Sequence, residues 1–337
     1  MKAYELQSTG GLDGLVQVDR PQPEPGPGQI GIRVRATSLN YRDLLVTSGA
    51  YGRVSFPLVP LSDGAGEVVA VGNGVTRWKV GDRVAATFFP DWISGEVAPE
   101  RTKAARGAGA TGGMLAEFVV LPEQGVVRIP NHLSFEEAAT LPCAALTAWN
   151  ALVELGQVCA GETVVLLGTG GVSLFALQFA KLHGARTIIT SSSDDKLARA
   201  RKVGADETVN YRTSPNWEEK VHELTGGRGA DHVVEVGGAG TFAKSLRATR
   251  PGGHVALIGV LAGVATELRV TDILMKSLRV HGVFVGSRDQ FESMNRAIGL
   301  HQLKPVIDRV FPFHEAKAAY QHLQSGQHFG KVVIAVE

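Results

Sequence analysis

The spacing of hydrophobic residues changes near Pro130. Before it, β-branched apolar runs at 29–40, 64–72 and 117–121 are separated by clusters of Gly, Pro and Asn. Such runs between turn residues are typical of short strands, so we predict an irregular antiparallel β domain at the start of the chain. Segment 90–113 is rich in Gly and Ala and has no periodicity, and we expect a long, mobile loop there.

Beyond Pro130, apolar strands alternate with amphipathic helices. Ser134 and Glu137 form an S-x-x-E capping box, which predicts that a helical stretch begins there. Continuous apolar runs between helical patterns indicate a parallel sheet covered on both faces, as in a doubly wound dinucleotide-binding domain. A final apolar run, 331–336, is expected to return to the first domain and make it discontinuous. The six runs of the predicted sheet are 164–168, 187–190, 207–211, 232–237, 254–260 and 280–286.

Composition narrows the classes of function. The 337 residues include 34 basic and 33 acidic side chains, finely interspersed, so no basic face for nucleic acid is indicated. No apolar run approaches the ~20 residues that a membrane span needs. The amino terminus lacks the basic and apolar regions of a signal peptide. We therefore expect a cytoplasmic protein that acts on a small molecule and binds neither nucleic acid nor membrane.

The distribution of His and Cys argues against a zinc site. No His or Cys precedes His132, and the only cysteines are Cys143 and Cys159. Zinc takes three or four ligands, mostly from these two residue types. We therefore expect no zinc in the first half of the chain and no metal site.

A glycine-rich turn follows the first strand of the predicted parallel sheet. Gly168 permits a tight turn, Gly170 lets the backbone approach a pyrophosphate, and the helix amino terminus favours that anion. Ser173 stands at the third glycine position and is small enough for close packing. The alternative is a strand–helix turn that binds no ligand. The predicted cofactor-binding residues of this turn are Gly168, Thr169, Gly170, Gly171 and Val172.

The end of the next strand favours NADP(H) over NAD(H). NAD-binding domains place a carboxylate on the ribose about 20 residues after the turn, whereas residues 190–193 are hydroxylic. Asp194 and Asp195 follow, where capping of the next helix is an equally good explanation. Lys196 is either a partner for the 2′-phosphate or a solvated helical charge. The predicted 2′-phosphate site consists of Ser191, Ser192, Lys196 and Tyr211.

Four segments together resemble the medium-chain dehydrogenase/reductase superfamily. They are NYRDLLVTSG at 40–49, LTAWNAL at 146–152, GTGGVS at 168–173 and GKVVI at 330–334. Within the superfamily, the chain is most similar to the zinc-free quinone oxidoreductase, or zeta-crystallin-like, branch, whose members favour NADPH. The resemblance covers essentially the whole chain.

The resemblance implies an α/β architecture of two domains. A GroES-like, mainly-β catalytic domain is expected at 1–124 and 288–337, and a Rossmann doubly wound parallel sheet at 125–287. A homodimer or homotetramer is also implied. Zinc-containing members place their first zinc cysteine near Leu39–Asn40 and a Gly-His-Glu segment at Leu61-Ser62-Asp63, so this chain departs from their ligands.

The resemblance also assigns catalytic and substrate-binding candidates. Asn40, Tyr41 and Asp43 lie on the segment that faces the nicotinamide in this family. Tyr41 is either a hydrogen-bond donor to the substrate oxygen or a buried packing residue, and Asp43 has a helix-capping alternative. An apolar wall for a flat conjugated substrate, or else ordinary core, is expected from Phe88, Phe89 and Trp92.

Further cofactor contacts are expected at strand ends and at three positions that match the family. Thr147, Val285 and Lys331 resemble residues that approach the cofactor, although Lys331 has a surface charge as its alternative. Cys143 lies in an apolar helical run and is interpreted as a packing residue rather than a nucleophile. The strand-end residues are Gly237, Gly259 and Val260.

The sequence therefore predicts an NADPH-dependent, metal-independent oxidoreductase. Hydride transfer without a Lewis acid suits a quinone or an alkene conjugated to a carbonyl. Two alternatives stay open: a zinc-free alcohol dehydrogenase and a non-catalytic NADPH-binding protein.

Overall fold

The chain folds into two compact units. A computed structural model describes residues 1–52, 54–109 and 111–336. The first unit consists of Met1–Leu146 and Gly286–Glu337, and the second consists of Thr147–Val285. The first unit is thus discontinuous, as the sequence predicts. Within the described ranges, no helix is long and apolar enough to cross a bilayer.

The described residues form fifteen strands and eleven α-helices. The strands are β1 (Lys2–Leu6), β2 (Leu15–Asp19), β3 (Gln29–Leu39), β4 (Asp63–Val71), β5 (Arg83–Ala86), β6 (Phe118–Pro122), β7 (Val126–Arg128), β8 (Thr163–Leu167), β9 (Arg186–Ser191), β10 (Glu207–Asn210), β11 (Ala230–Glu235), β12 (Thr249–Leu257), β13 (Arg279–Gly282), β14 (Ile307–Pro312) and β15 (Lys331–Ala335). The helices are α1 (Tyr41–Ser48), α2 (Pro99–Thr102), α3 (Phe135–Ala138), α4 (Leu146–Trp149), α5 (Gly171–Leu182), α6 (Asp194–Val203), α7 (Trp217–Leu224), α8 (Phe242–Ala248), α9 (Thr271–Leu274), α10 (Arg288–His301) and α11 (Ala316–Gln324).

The first unit is built on a seven-stranded sheet in the order β14-β15-β3-β4-β5-β7, with β6 also paired to β3. All its pairs are antiparallel except β14 with β15. Strand β15 joins β3 through the pair Val333 and Ser38, which confirms the predicted return of the carboxyl terminus. Ile30, Ile32 and Val34 of β3 pack in the same buried cluster, because alternate strand residues share a face.

The first unit extends further along the chain than the predicted ranges 1–124 and 288–337. Strand β7 pairs with β5, so residues after 124 belong to the antiparallel sheet of this unit. Helix α3 follows and carries the predicted capping box of Ser134 and Glu137. As functional domains, those two ranges and 125–287 stay predictions.

Segment 90–113 is largely irregular, but it is attached to its unit. Helix α2 adds one turn, and the Arg106 side chain is fully buried with its Nε donating to the Thr87 carbonyl oxygen at 3.2 Å. This side chain anchors the segment at Arg106, and the mobility expected for the loop stays a prediction. Ala110 lies outside the described residues.

The second unit contains the predicted parallel sheet of six strands. Their order is β10-β9-β8-β11-β12-β13, which in sequence rank is 3-2-1-4-5-6, the doubly wound arrangement. Side chains of β8, β9 and β11 are buried nearly throughout, as expected for strands covered on both faces. The predicted Rossmann fold is confirmed.

Several elements end earlier than the sequence indicates. Strand β12 ends at Leu257 and β13 at Gly282, whereas runs to 260 and 286 were expected. Val285 has a φ of 59°, which no strand residue adopts, so the strand cannot continue through it. The predicted helical stretch after Ser134 is also divided, with π-helical turns at Leu141–Ala145 and Asn150–Leu155 around α4.

Candidate functional site

The glycine-rich turn lies between β8 and α5, as predicted. Gly168 has a φ of 72°, the left-handed conformation that glycine adopts at little cost, and Gly170 is the amino-terminal cap of α5. A side-chain Cβ built at either glycine meets no atom within 4 Å, so the space beside this backbone is open. The first N–H groups of α5 have no acceptor within the helix. This geometry fits the pyrophosphate of a dinucleotide.

Ser173 confirms the role given to the third position of the fingerprint. It is buried, and its hydroxyl donates to the Leu167 carbonyl oxygen at 2.6 Å. This bond ties the first turn of α5 to the end of β8. Thr169, between the glycines, is also buried.

The residues of the predicted 2′-phosphate site lie at the ends of two adjacent strands. Strands β9 and β10 are parallel neighbours with Ser191 opposite Asn210, and the Tyr211 N–H donates to the Ser191 carbonyl oxygen at 3.1 Å. Ser191 is buried, whereas Tyr211 is exposed. Lys196 follows in the first turn of α6, so the structure brings the predicted residues, together with Ser192, to one edge of the sheet.

The capping role proposed for Asp194 and Asp195 is wrong. The cap of α6 is Ser193, whose hydroxyl oxygen accepts from the Lys196 N–H. Both aspartates lie in the first turn, where their charge favours the helix dipole. The Asp194 Oδ1 accepts from the Asn210 amide at 2.8 Å.

A buried carboxylate that the sequence analysis missed holds the turn after β11. Glu235 accepts from the N–H of Gly237 at 2.7 Å and of Gly238 at 2.9 Å. It also accepts from the hydroxyls of Thr241 and Ser245. Four donors on one carboxylate fix the backbone of this strand end. The one feature of the sequence that could have indicated this buried carboxylate is an acidic residue inside the apolar run 232–237.

The turn after β12 packs closely against the turn after β11. The Gly259 N–H donates to the Glu235 carbonyl oxygen at 3.2 Å, and a Cβ on Gly259 would lie 2.1 Å from the Val236 oxygen. Val260 follows and is exposed. Since the carboxyl ends of parallel strands meet at one edge, Gly237, Gly259 and Val260 lie at the same edge as the glycine-rich turn.

Val285 and Thr147 lie at the two ends of the second unit. The Val285 carbonyl oxygen accepts from the Asn150 amide at 2.8 Å, which fixes this left-handed residue. Thr147 is buried. Their cofactor contacts stay predictions.

In the first unit, α1 begins at the predicted catalytic segment. The Asn40 N–H donates to the Asp43 Oδ2 at 2.7 Å, so Asp43 forms a capping box with Asn40, the amino-terminal cap of α1. Burial raises the pKa of Asp43 to about 6, against the opposing effect of Arg42, whose Nη1 lies 3.1 Å from Oδ1. Tyr41 is 41% exposed, so its alternative as a buried packing residue is wrong.

The three aromatic residues predicted as a substrate wall are all buried. The Phe88 and Phe89 ring centroids lie 4.7 Å apart, and those of Phe89 and Trp92 lie 6.1 Å apart. The Arg42 guanidinium carbon lies 5.2 Å from the Phe88 ring centroid. These are the contacts of a packed core, and the role of the rings as a substrate wall stays a prediction.

Lys331 is a buried cation, so its alternative as a surface charge is wrong. It is 3% exposed, and its Nζ lies 2.7 Å from the Leu39 carbonyl oxygen and 2.5 Å from the Asn40 Oδ1. The Asp63 Oδ2 lies 3.8 Å away. This cluster is not predicted from the sequence, because Lys331 and Asn40 are distant in the chain and only the β15–β3 pairing joins them.

Cys143 also contacts this cluster, through its backbone. Its N–H donates to the Asp63 Oδ2 at 3.2 Å. Burial raises the pKa of the Cys143 thiol, so the side chain is protonated at neutral pH. A thiol without thiolate character is a poor nucleophile, which agrees with its interpretation as a packing residue.

The fold and the strand-end site define a dinucleotide-binding α/β protein. The family described as "Alcohol dehydrogenase GroES-like domain" matches residues 26–131, and that described as "Zinc-binding dehydrogenase" matches residues 171–299. The chain belongs to the medium-chain dehydrogenase/reductase superfamily and is an NAD(P)H-dependent oxidoreductase.

Two relatives carry different activity names. A zinc-type alcohol dehydrogenase-like protein of Schizosaccharomyces pombe is 42% identical over 317 residues, which cover 92% of this chain and 91% of the relative. A quinone oxidoreductase of Pseudomonas aeruginosa is 32% identical, with 99% of each chain covered.

Two solved structures share the fold over the whole chain. The crystal structure of an NAD-dependent alcohol dehydrogenase superposes with a TM-score of 0.92 at 37% identity and covers 100% of both chains. A mycobacterial protein in complex with NADPH superposes with a TM-score of 0.83 at 30% identity and covers 99% of both chains. One of these related structures is thus named for NAD, whereas the other contains NADPH.

The donor set does not fit a zinc ion. The resemblance places zinc ligands near Leu39–Asn40 and at Leu61-Ser62-Asp63, where this chain has no Cys or His, and the Lys331 ammonium already contacts Asn40. Zinc prefers thiolate and imidazole ligands. The fixed ammonium of Lys331 would also repel a metal cation bound beside Asn40. Over the ranges that the structure describes, no group of three or more His, Cys, Asp or Glu could hold a metal.

Proposed function

We propose that this protein is an NADPH-dependent, metal-independent oxidoreductase that transfers a hydride to a quinone or to an alkene conjugated to a carbonyl. The observation that carries the proposal is the Lys331 ammonium, which is buried against Asn40 and 3.8 Å from the Asp63 carboxylate. A site built around this ammonium offers hydrogen-bond donors instead of a Lewis acid.

The chemistry follows from that difference. Bound NADPH supplies the hydride. The protein must therefore bind and orient the cofactor and the substrate, and must exclude water from the site. A bare ketone or alcohol needs strong polarisation at oxygen, which a metal gives. A quinone or an enone is already polarised by conjugation, so hydrogen-bond donors suffice to stabilise the charge that develops on its oxygen.

The preference for NADPH is supported by the strand-end residues. Hydroxyl groups and an amine surround the end of β9, at Ser191, Ser192 and Lys196, and Tyr211 lies beside them. No carboxylate occupies the end of β9, and Asp194 beyond it is bonded to Asn210. Hydroxyls and Lys attract a phosphate, whereas the carboxylate of an NAD site repels one.

The substrate is proposed to meet the Asn40–Asp43 segment. Tyr41 is exposed and donates a hydrogen bond to the substrate oxygen, and Asp43 holds the segment through the capping box of α1. The apolar wall from Phe88, Phe89 and Trp92, and the cofactor contacts of Thr147 and Val285, belong to the same proposal.

A zinc-free alcohol dehydrogenase is the second candidate. The names of several relatives favour it, among them the 42% identical fission yeast protein. The two activities differ in the direction of hydride transfer and in the acceptor, so one assay separates them.

The test is turnover by chelator-treated protein with verified absence of metal. NADPH oxidation is followed with a quinone, an enone and a simple ketone, and NADP⁺ reduction is followed with a panel of alcohols. We expect consumption with the quinone or the enone. Turnover with alcohols alone, or only after zinc is restored, would overturn the proposal. Tight binding of NADPH without turnover in any assay would favour a non-catalytic binding protein.

We also propose a homodimer or homotetramer, and a cytoplasmic location. Strand β13 is an edge of the parallel sheet, where unpaired backbone groups are available to a second copy. Phe284 and Leu274 near this edge are exposed. Light scattering on the eluted protein tests the assembly, and a mass of one chain would contradict it.

A further inference from the structure

The buried Lys331 ammonium has a defined set of acceptors in the first unit. Its Nζ lies 2.5 Å from the Asn40 Oδ1 and 2.7 Å from the Leu39 carbonyl oxygen. A buried charge is tolerated only where acceptors and an opposite charge compensate for lost water. Asp63 supplies that charge at 3.8 Å. The position of the ammonium is therefore fixed from three sides.

Asp63 is itself held by other donors. Its Oδ1 accepts from the Ser62 hydroxyl at 2.7 Å, and its Oδ2 accepts from the Cys143 N–H at 3.2 Å. Because these groups hold the carboxylate, Asp63 neutralises Lys331 without taking its short hydrogen bonds. Those bonds go to Leu39 and Asn40.

Lys331 determines the orientation of the Asn40 carboxamide. An ammonium has three donors and no acceptor, so only the oxygen of the amide can face it. The assignment of Oδ1 and Nδ2, which is often ambiguous, is therefore forced by chemistry. The opposite end of the amide, Nδ2, is buried and has no hydrogen-bond partner in the protein, although Asn40 is 8% exposed. An unpartnered buried donor is costly unless a ligand completes it.

We propose that Lys331 is a positioning residue, whose ammonium holds the Asn40 carboxamide so that its Nδ2–H donates to the carbonyl oxygen of the substrate. This inference rests on the proposed reductase function. A hydride from the reduced nicotinamide would add to the conjugated carbon, the π pair of the alkene would form the double bond of the enolate, and the π pair of the carbonyl would move onto the oxygen. Water would then protonate the carbon next to the carbonyl and leave hydroxide to the solvent. Asn40 keeps both of its amide hydrogens and stabilises the negative oxygen.

Asn40→Asp separates the donor from the positioning contact. The variant keeps an oxygen facing Lys331 but has no N–H on the other side. We expect an unchanged melting temperature and a fall in kcat of about 100-fold, the usual effect of removing one donor to a developing oxyanion. Unchanged kcat would overturn the role of Asn40.

Lys331→Met tests the positioning. It removes the ammonium at similar length, so the amide can rotate its oxygen towards the substrate. We expect kcat to fall about tenfold in the wild-type background, with a smaller effect on KM, and not to fall further in the Asn40→Asp background. An equal factor in both backgrounds would overturn the coupling. Lys317→Met, an exposed lysine on α11, is the matched control. If Lys331→Met does not fold, the comparison uses Lys331→Met/Asp63→Asn, which removes both charges.

A spectroscopic readout distinguishes this inference from the proposed function. In protein labelled with ¹⁵N-asparagine, the Asn40 side-chain amide is the pair of signals lost in Asn40→Asp. We expect that pair to shift in Lys331→Met and to stay in place in Lys317→Met. If no acceptor is turned over but the pair shifts, the orientation by Lys331 stands while the reductase function fails. If the pair does not shift, the positioning is overturned whatever the activity.

Discussion

Ser173 and Leu167 are joined by a hydrogen bond of 2.6 Å from the serine hydroxyl to the backbone oxygen. Leu167 ends the first strand of the parallel sheet, and Ser173 lies in the first turn of the following helix. The bond replaces the close packing that a third glycine gives in the dinucleotide fingerprint. It fixes the helix whose amino terminus faces the proposed pyrophosphate.

Ser173→Ala is expected to lower the free energy of unfolding by about 1–2 kcal/mol, because a buried carbonyl loses its partner. NADPH affinity should be retained, since the hydroxyl faces the protein. Urea unfolding measures the effect. Ser48→Ala removes an exposed hydroxyl bonded to Leu45 and is the matched control, with little expected change. Equal effects of the two substitutions would contradict the account.

Gly170→Ala tests the phosphate cradle without disturbing the fold. A Cβ at Gly170 meets no protein atom within 4 Å, so the free energy of unfolding should change by less than about 1 kcal/mol. NADPH affinity should fall at least about tenfold, because the methyl group occupies the space of the pyrophosphate. Gly299→Ala, at a helical glycine that also has open space, is the control and should leave affinity unchanged. Unchanged affinity in Gly170→Ala would show that no phosphate binds there.

Lys196→Met is expected to weaken NADPH binding about tenfold, because a charge-assisted contact with the 2′-phosphate is lost. NADH lacks that phosphate, so its affinity should not change. Lys202→Met, an exposed lysine at the other end of the same helix, is the control. Calorimetric titration of each variant with both cofactors gives the ratio. A parallel loss for NADPH and NADH would indicate a general effect on the fold.

The three imidazoles of His232, His254 and His281 form a chain that predicts a pH dependence of stability. The His254 Nδ1 lies 3.4 Å from the His232 Nδ1, and its Nε2 lies 3.1 Å from the His281 Nδ1. Burial, and then the neighbouring imidazoles and Arg279, lowers the pKa of His254 from 6.5 to about 3. The Glu162 carboxylate lies 2.9 Å from the His232 Nε2.

Acid should therefore destabilise the protein through His254. Between its two pKa values the unfolded chain binds a proton that the folded chain does not, so the stability present above the unfolded pKa is lost as the pH falls. The loss approaches roughly 1.4 kcal/mol per pH unit. Urea unfolding at about pH 7, 6 and 5 measures the slope, which should be shallower in His254→Gln. Identical slopes would contradict a depressed pKa.

The sequence predicted the second unit more completely than the first. The alternation of apolar runs and helices predicts a parallel sheet covered on both faces, and the glycines mark the turn themselves. Glu235 escaped prediction because its partners are backbone N–H groups and hydroxyls of a later turn, which become neighbours only when that turn forms. The short ends of β12 and β13 reflect local backbone geometry, such as the left-handed Val285, that apolar spacing does not encode.

In the first unit, residue types predicted which residues belong to the site, but the sequence did not predict which side chains contact one another. The lack of His and Cys before His132 predicted no zinc ligands in that part of the chain, and the Asn40–Asp43 segment was a candidate from its resemblance. The Lys331–Asn40 contact depends on β15 returning beside β3, and the sequence gives no register for that pairing. The assignment of Lys331 to the cofactor came from the resemblance and stays a prediction, and its contacts with Leu39 and Asn40 were not predicted.

Separate titrations of the chelator-treated protein with NADPH and NADH, followed by nicotinamide fluorescence, test the proposed cofactor and its preference. We predict saturable binding of both, with NADPH bound at least about tenfold more tightly through its 2′-phosphate. Tighter binding of NADH would contradict the assignment of Ser191, Ser192, Lys196 and Tyr211, and binding of neither would contradict the proposed cofactor site itself.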